Sequence, residues 1–127
     1  MNLSMDNRIG IGVDIENIDR FVGLDRTQGR SLLDKIFTQS EIEYCYSKRE
    51  PASHLAARFA GKESVVKATY SMGKSGINYR DIEIVNNKDG VPEVRIDKPG
   101  FHNIQVKLSL SHCSDKAIAF VIAVEAE

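Results

Sequence analysis

Pro51-Ala52-Ser53-His54-Leu55-Ala56-Ala57-Arg58-Phe59-Ala60-Gly61-Lys62-Glu63-Ser64-Val65-Val66-Lys67-Ala68-Thr69-Tyr70-Ser71 places Ala52, Leu55, Ala56, Phe59, Val66 and Tyr70 at helical spacing. Pro51 suits the first turn, where a missing N–H costs nothing, so the spacing predicts one long helix to about Ser71. At about 100° per residue, Glu63 and Lys67 lie about 40° apart and fall in the sector of Ala56, Phe59 and Val66. Both charges are therefore expected on the packed side. An i,i+4 pair on a solvated face would contribute about 0.2–0.5 kcal/mol and mean little more; the apolar-side position shifts the reading toward function.

Working outward, Ile9, Ile11, Val13 and Ile15 alternate with Gly10, Gly12, Asp14 and Glu16, the period of a strand with one apolar face. Asp14 is expected on the side away from the core, on a surface cleared by two glycines. Ile18, Phe21, Val22 and Leu24 suggest a short helix, and Leu32, Leu33, Ile36 and Phe37 continue the apolar pattern. Thr38-Gln39-Ser40-Glu41 has capping-box form and should open a helix carrying Ile42, Tyr44, Cys45 and Tyr46. Beyond a turn at Gly73 to Gly76, Asp81-Ile82-Glu83-Ile84-Val85 and Val91 to Ile96 flank a loop of Asn86-Asn87-Lys88-Asp89-Gly90, which reads as a hairpin, with Pro92 favouring an edge. Two further strands are expected at Gln105 to Ser111 and Ala117 to Val124. The second is apolar on both faces and therefore central, and Ser114-Asp115-Lys116 would turn between them, leaving His112 at a strand end.

The 127 residues suffice for one domain with a real core, taken as 1–127 with residues 1–8 set apart as a flexible N-terminus. A net charge of −1 lacks the basic footprint of a nucleic-acid binder, which favours a small or acidic partner. The polar start has no secretion-type apolar segment, and the apolar run Ala117 to Val124 is too short to span a bilayer. No membrane and a cytoplasmic location are expected. Cys45 and Cys113 lack metal-type spacing and fit buried free thiols in a reducing compartment.

Chemistry-bearing groups concentrate in Gly10-Ile11-Gly12-Val13-Asp14-Ile15, in Phe59 to Ala68 and in Ser109-Leu110-Ser111-His112. Asp14 and Glu63 could share a hard divalent cation, while Lys67, Arg58 and His112 are donor types that hold phosphate oxygens. Each also has a plain structural reading. Gly-x-Gly before Asp14 opens no helix and can mark close strand packing. His112 shares parity with Val106, Leu108 and Leu110, as a hydrogen-bonded core histidine would. Arg20, Arg26 and Arg30 are compatible with a solvated basic face.

In this order the three stretches resemble the signature of the short, holo-[acyl-carrier-protein] synthase type of 4′-phosphopantetheinyl transferase. The family's Gly-Ile-Gly-x-Asp-Ile followed by arginine is met by Gly10 to Ile15 and Arg20; its Phe-Ala-x-Lys-Glu-x-x-x-Lys-Ala by Phe59 to Ala68; its Ser-x-Ser-His with alternating alanines by Ser109, Ser111, His112, Ala117 and Ala119. The likeness spans Ile9 to Val124, with departures at Gly61, where the family usually has alanine, and at Tyr70-Ser71-Met72, where a glycine commonly follows the Lys-Ala pair.

The resemblance implies transfer of the 4′-phosphopantetheine arm of coenzyme A to a serine of apo acyl carrier protein, releasing adenosine 3′,5′-bisphosphate, in support of fatty acid biosynthesis. It implies that Asp14 and Glu63 ligate Mg²⁺ and that Lys67 contacts the pyrophosphate. Arg58 and His112 would help hold coenzyme A, and Glu63, directly or through a metal-bound water, would take the serine proton. Arg20 matches a position that meets the carrier protein, with Arg26 and Arg30 following it. The implied assembly is a homotrimer with active sites between subunits. The implied fold is α+β, a mostly antiparallel β-sheet packed against the long helix. The same carboxylates would also serve a small metal-dependent phosphodiesterase or pyrophosphatase, and the same surface a non-catalytic coenzyme A or carrier-protein binding module.

Overall fold

The computed structural model describes residues 8–25, 27 and 29–126. Strand β1 (Ile9–Asn17) leads through a 3₁₀ turn (Ile18–Phe21) to helices α1 (Arg30–Ile36), α2 (Gln39–Tyr46) and α3 (Pro51–Ser71). A second 3₁₀ turn (Tyr79–Asp81) precedes strands β2 (Ile82–Asn86), β3 (Pro92–Ile96), β4 (Ile104–His112) and β5 (Lys116–Glu125). The fold is α+β, as expected. Strands β1, β5 and β4 form one antiparallel sheet with β5 in the centre, and β2 pairs with β3 in a separate antiparallel hairpin.

Helix α3 lies across one face of the three-stranded sheet and decides which way β1 faces. The side of β1 against α3 is the glycine side. Gly10, Gly12, Ala117, Ala119, Val121 and Ala123 are all buried, whereas Ile11, Val13 and Ile15 are 63%, 53% and 59% exposed. The strand alternation is as the sequence predicts, but its core side is inverted: Asp14 shares the helix-facing side, and the isoleucine side is open. The reason is distance. A Cβ on Gly10 would stand 2.1 Å from the Ala68 carbonyl oxygen, and one on Gly12 would stand 2.0 Å from that of Ser64. Two backbones approach closely here because no side chain intervenes.

The capping box at Thr38 is formed, with Thr38 N–H donating to Glu41 Oε1 at 2.9 Å and Thr38 Oγ1 accepting from Glu41 N–H at 3.4 Å. Glu41 then reaches into the core. Its Oε1 sits 2.6 Å from Lys62 Nζ and its Oε2 accepts from Ile84 N–H at 2.8 Å, and both charged side chains are fully buried. Lys62 also donates to the carbonyls of Tyr79 at 2.9 Å and Ile82 at 2.6 Å. All three ammonium hydrogens thus have acceptors, which is what makes a buried charge tolerable. This network ties α2, α3 and the Tyr79–Ile84 segment together.

Gly61 is buried inside α3, where a Cβ would meet Ile84 Cδ1 at 2.6 Å and Leu108 Cδ1 at 3.2 Å. Its helix-weakening cost, about 1 kcal/mol, accompanies close packing of the hairpin and β4 on the helix. Cys45 is buried, but Cys113 is exposed in the β4–β5 turn, against the expectation of two buried thiols. Among the described residues no helix is long and apolar enough to cross a membrane.

Candidate active site

Asp14 emerges from β1 opposite Ala119 of β5, two residues beyond the glycine that meets Ser64 of α3. One turn further along α3 from Glu63, Lys67 donates from Nζ to the Val13 carbonyl at 3.0 Å and lies 3.3 Å from Asp14 Oδ1. The ammonium side chain is 53% exposed and the Asp14 carboxylate only 13%, so Lys67 sits at the rim rather than on the packed side. Asp14 Oδ2 is buried and has no hydrogen-bond partner.

Glu16 shares the parity of Asp14 and was not singled out by its sequence. Burial, followed by the neighbouring Asp14 carboxylate, pushes its carboxyl up to about 7, while Arg20 at 3.2 Å opposes the shift. The period-two pattern that placed Asp14 would have found it. Arg20 continues the cluster, with its guanidinium 4.9 Å from the Phe59 ring centroid. Glu63 accepts a short hydrogen bond at Oε1 from the Tyr79 hydroxyl, and burial, then that bond, raises the phenol to about 12. The phenol therefore remains a donor at neutral pH. Tyr79 has no motif of its own; only the tertiary fold brings it to Glu63.

The site residues fall into two groups. Asp14, Glu16, Arg20, Lys67, Glu63 and Tyr79 gather where β1 crosses α3. Arg58 and His112 stand apart from them. Arg58 is 3% exposed, donates to Asn86 Oδ1 at 3.2 Å and stacks 4.2 Å from the Tyr44 ring centroid, leaving its Nε without a partner. His112 closes β4 as an exposed residue, not a core one, with its ring 6.3 Å from that of His54. Burial and then the nearby Arg58, Lys48 and His112 hold His54 below the usual histidine range. An open depression of about 540 Å³ is lined here by Lys48, Arg49, Glu50, Ser53, His54 and His112. Its donors suit an anion.

Arg30 pairs with Asp34 at 3.0 Å on α1, and Arg26 lies outside the described residues. Among the described residues no group of three or more His, Cys, Asp and Glu side chains is disposed to hold a metal ion. Asp14 Oδ2 without a partner and Glu63 with one oxygen committed to Tyr79 nevertheless fit a hard cation that takes its remaining ligands from water and substrate oxygens, the habit of Mg²⁺.

The residue profile of the 4′-phosphopantetheinyl transferase superfamily matches residues 10–122. A holo-[acyl-carrier-protein] synthase of Thermodesulfovibrio yellowstonii is 44% identical over 89% of the chain and 96% of that protein, and one of Aquifex aeolicus is 40% identical over 86% and 93%. In three dimensions, the holo-[acyl-carrier-protein] synthase of Neisseria meningitidis matches with a TM-score of 0.76 at 32% identity, over 91% of this chain and 98% of that one. The Helicobacter pylori enzyme, solved in complex with coenzyme A, matches with a TM-score of 0.73 at 30% identity, over 91% and 99%. With the motif residues of β1 and α3 meeting at one site, the chain belongs to the holo-[acyl-carrier-protein] synthases of the 4′-phosphopantetheinyl transferase superfamily.

Proposed function

We propose that the chain transfers the 4′-phosphopantetheine arm of coenzyme A to a serine of apo acyl carrier protein, in support of fatty acid synthesis, with Asp14, Glu63 and Lys67 carrying the reaction. The observation that carries this reading is the meeting of Asp14 and Lys67 across the glycine-cleared contact of β1 with α3. The serine oxygen attacks the pantetheine-side phosphorus of the pyrophosphate, the bridging P–O bond breaks, and adenosine 3′,5′-bisphosphate leaves. Glu63 accepts the serine proton. Lys67, exposed at the rim, turns from Asp14 to the phosphate oxygens as substrate enters. Asp14, through its unpartnered buried Oδ2, and Glu63, through the oxygen not committed to Tyr79, would hold Mg²⁺. When bound, Mg²⁺ supplies charge neutralisation on the pyrophosphate and the departing phosphate.

Arg58, with an unpartnered buried Nε, and His112, on the depression it shares with Lys48 and Arg49, hold the remaining phosphate of coenzyme A. Arg20 and Arg30, with Arg26 following Arg20 in the sequence, would meet the acidic carrier protein and steer the encounter. The single domain assembles as a cytoplasmic homotrimer. Support for assembly is the open face of β1 and β5, where Ile9, Ile11, Val13, Ile15, Ile118, Phe120, Ile122 and Val124 are each 39–63% exposed on adjacent strands. Contiguous apolar surface of this kind marks an interface.

The test is incubation with coenzyme A, Mg²⁺ and apo carrier protein, read by intact mass. Addition of phosphopantetheine is expected, and its absence with several carrier proteins refutes the assignment. Asp14→Asn and Glu63→Gln should each abolish transfer while leaving the circular dichroism spectrum unchanged; activity at the parent level removes that residue's role.

A further inference from the structure

Glu63 stands on α3, but one of its oxygens is governed by a residue from a different element. Tyr79 opens the 3₁₀ turn before β2, and its hydroxyl donates to Glu63 Oε1. A phenol at the edge of a cleft could be satisfied by water. This one is aimed by two constraints that do not involve the hydroxyl. Its ring packs edge-on against Phe59, at 5.4 Å between centroids and 64° between planes, and Phe59 lies one helical turn before Glu63. Its backbone carbonyl accepts from Lys62 Nζ at 2.9 Å, and Lys62 is itself fixed by Glu41 at 2.6 Å. Lys62 precedes Glu63 directly in the chain, so the backbone of Tyr79 and the backbone of Glu63 are tied to the same buried ion pair.

We propose that Tyr79 is a positioning residue for Glu63, its hydroxyl holding Oε1 so that Oε2 is presented to the metal ion and the attacking serine. The inference rests on the assignment of Glu63 to those tasks. A carboxylate at the end of a flexible side chain has several rotamers of similar energy, and a donor on one oxygen selects among them. Outer hydrogen bonds of this kind orient ligating groups and typically alter metal affinity by about 10–100-fold. The geometry leaves Lys67 and Asp14 out of the constraint. Tyr79 thus acts through Glu63 alone.

Tyr79→Phe deletes the hydroxyl and keeps the ring against Phe59 and the carbonyl on Lys62. The full-length protein and its Tyr79→Phe, Glu63→Gln and doubly substituted forms are titrated with Mg²⁺ by calorimetry, with coenzyme A present and no carrier protein. Tyr79→Phe should weaken Mg²⁺ binding by about 10-fold, lower kcat with KM for the carrier protein nearly unchanged, and leave the melting temperature close to the parent value. In the Glu63→Gln background it should have no further effect on Mg²⁺. Equal weakening in both backgrounds overturns the proposal, because Tyr79 would then act without Glu63. So does parent-level Mg²⁺ binding by Tyr79→Phe when Glu63→Gln binds weakly. If Glu63→Gln itself binds Mg²⁺ at parent strength, the assignment of Glu63 to the metal fails and the role of Tyr79 falls with it.

Discussion

Gly12→Ala tests whether the site depends on backbone contact between β1 and α3. The added Cβ would stand 2.0 Å from the Ser64 carbonyl oxygen, 2.8 Å from its carbon and 3.1 Å from its Cα, against ordinary contact from 3.4 Å outward. The shortest contact is therefore deficient by about 1.4 Å. Ser64 O belongs to a helix and no side-chain rotation removes it, so β1 and α3 must separate by about an ångström. Overpacking that side chains can absorb costs about 1–3 kcal/mol, and here the upper end is expected. The separation falls between Gly12 and Ser64, next to Asp14 on one side and Glu63 on the other, and stretches the 3.3 Å Lys67–Asp14 contact. Misplacement by about 1 Å can cost 10²-fold in rate, so kcat/KM should fall by about that factor. The assay is phosphopantetheinylation rate by mass spectrometry, beside thermal unfolding at fixed protein concentration. Gly10→Ala meets Ala68 O at 2.1 Å and Met72, nearer the far end of α3, and should lose similar stability but less activity. Gly12→Ala with activity within about threefold of the parent and an unchanged melting temperature would refute the reasoning.

Three other outcomes follow from buried and exposed groups. Glu41→Gln leaves the Lys62 ammonium buried without its counter-charge and should cost about 3–5 kcal/mol in urea unfolding, whereas Glu41→Gln with Lys62→Met should recover part of the loss; equal losses in the single and double variants contradict this. Burial raises the Cys45 thiol from 9.0 to about 12, so the folded state resists ionisation that the unfolded chain undergoes. Stability attributable to Cys45 is complete below pH 9, falls by about 1.4 kcal/mol per pH unit above it, and should be absent from the alkaline limb of Cys45→Ala measured in parallel. Phe120→Asp, on the open face of β5, should leave the subunit folded but break the proposed trimer to monomer by light scattering and abolish transfer; a trimeric Phe120→Asp protein removes that face from the proposed interface.

The local rules were legible in the sequence wherever neighbouring residues supplied both partners. Thr38 and Glu41 are three apart and form their capping box, the Pro51–Ser71 periodicity gives α3 end to end, and the Asn86–Gly90 loop closes the β2–β3 hairpin. The side of β1 was not legible, because alternation says which residues share a face and not what that face meets. Counting hydrophobes favours Ile11, Val13 and Ile15 as the core side, yet the nearest element is a helix backbone that only glycine can approach. Lys67 was misplaced for a related reason. Its angle on the helix matches Glu63, but four methylenes carry the ammonium out to the rim beside Asp14. Tyr79 and the Glu41–Lys62 pair are contacts across 16 and 21 residues of chain, and no spacing rule reaches them.

The inversion of β1 gives one strand two tasks, divided by parity. Even positions Gly10, Gly12, Asp14 and Glu16 face α3, with glycines setting the distance and carboxylates occupying the space that follows. Odd positions Ile9, Ile11, Val13 and Ile15 face outward beside Ile118, Phe120, Ile122 and Val124 of β5. A shift of β1 by one residue would exchange the two sets, driving isoleucines into the helix backbone and burying nothing on the other side. The close contact and the open apolar face therefore select the same register. In a subunit this small, covering that face with another copy would fix β1 from the side opposite to α3, so that assembly would steady Asp14 through the backbone of the strand that carries it.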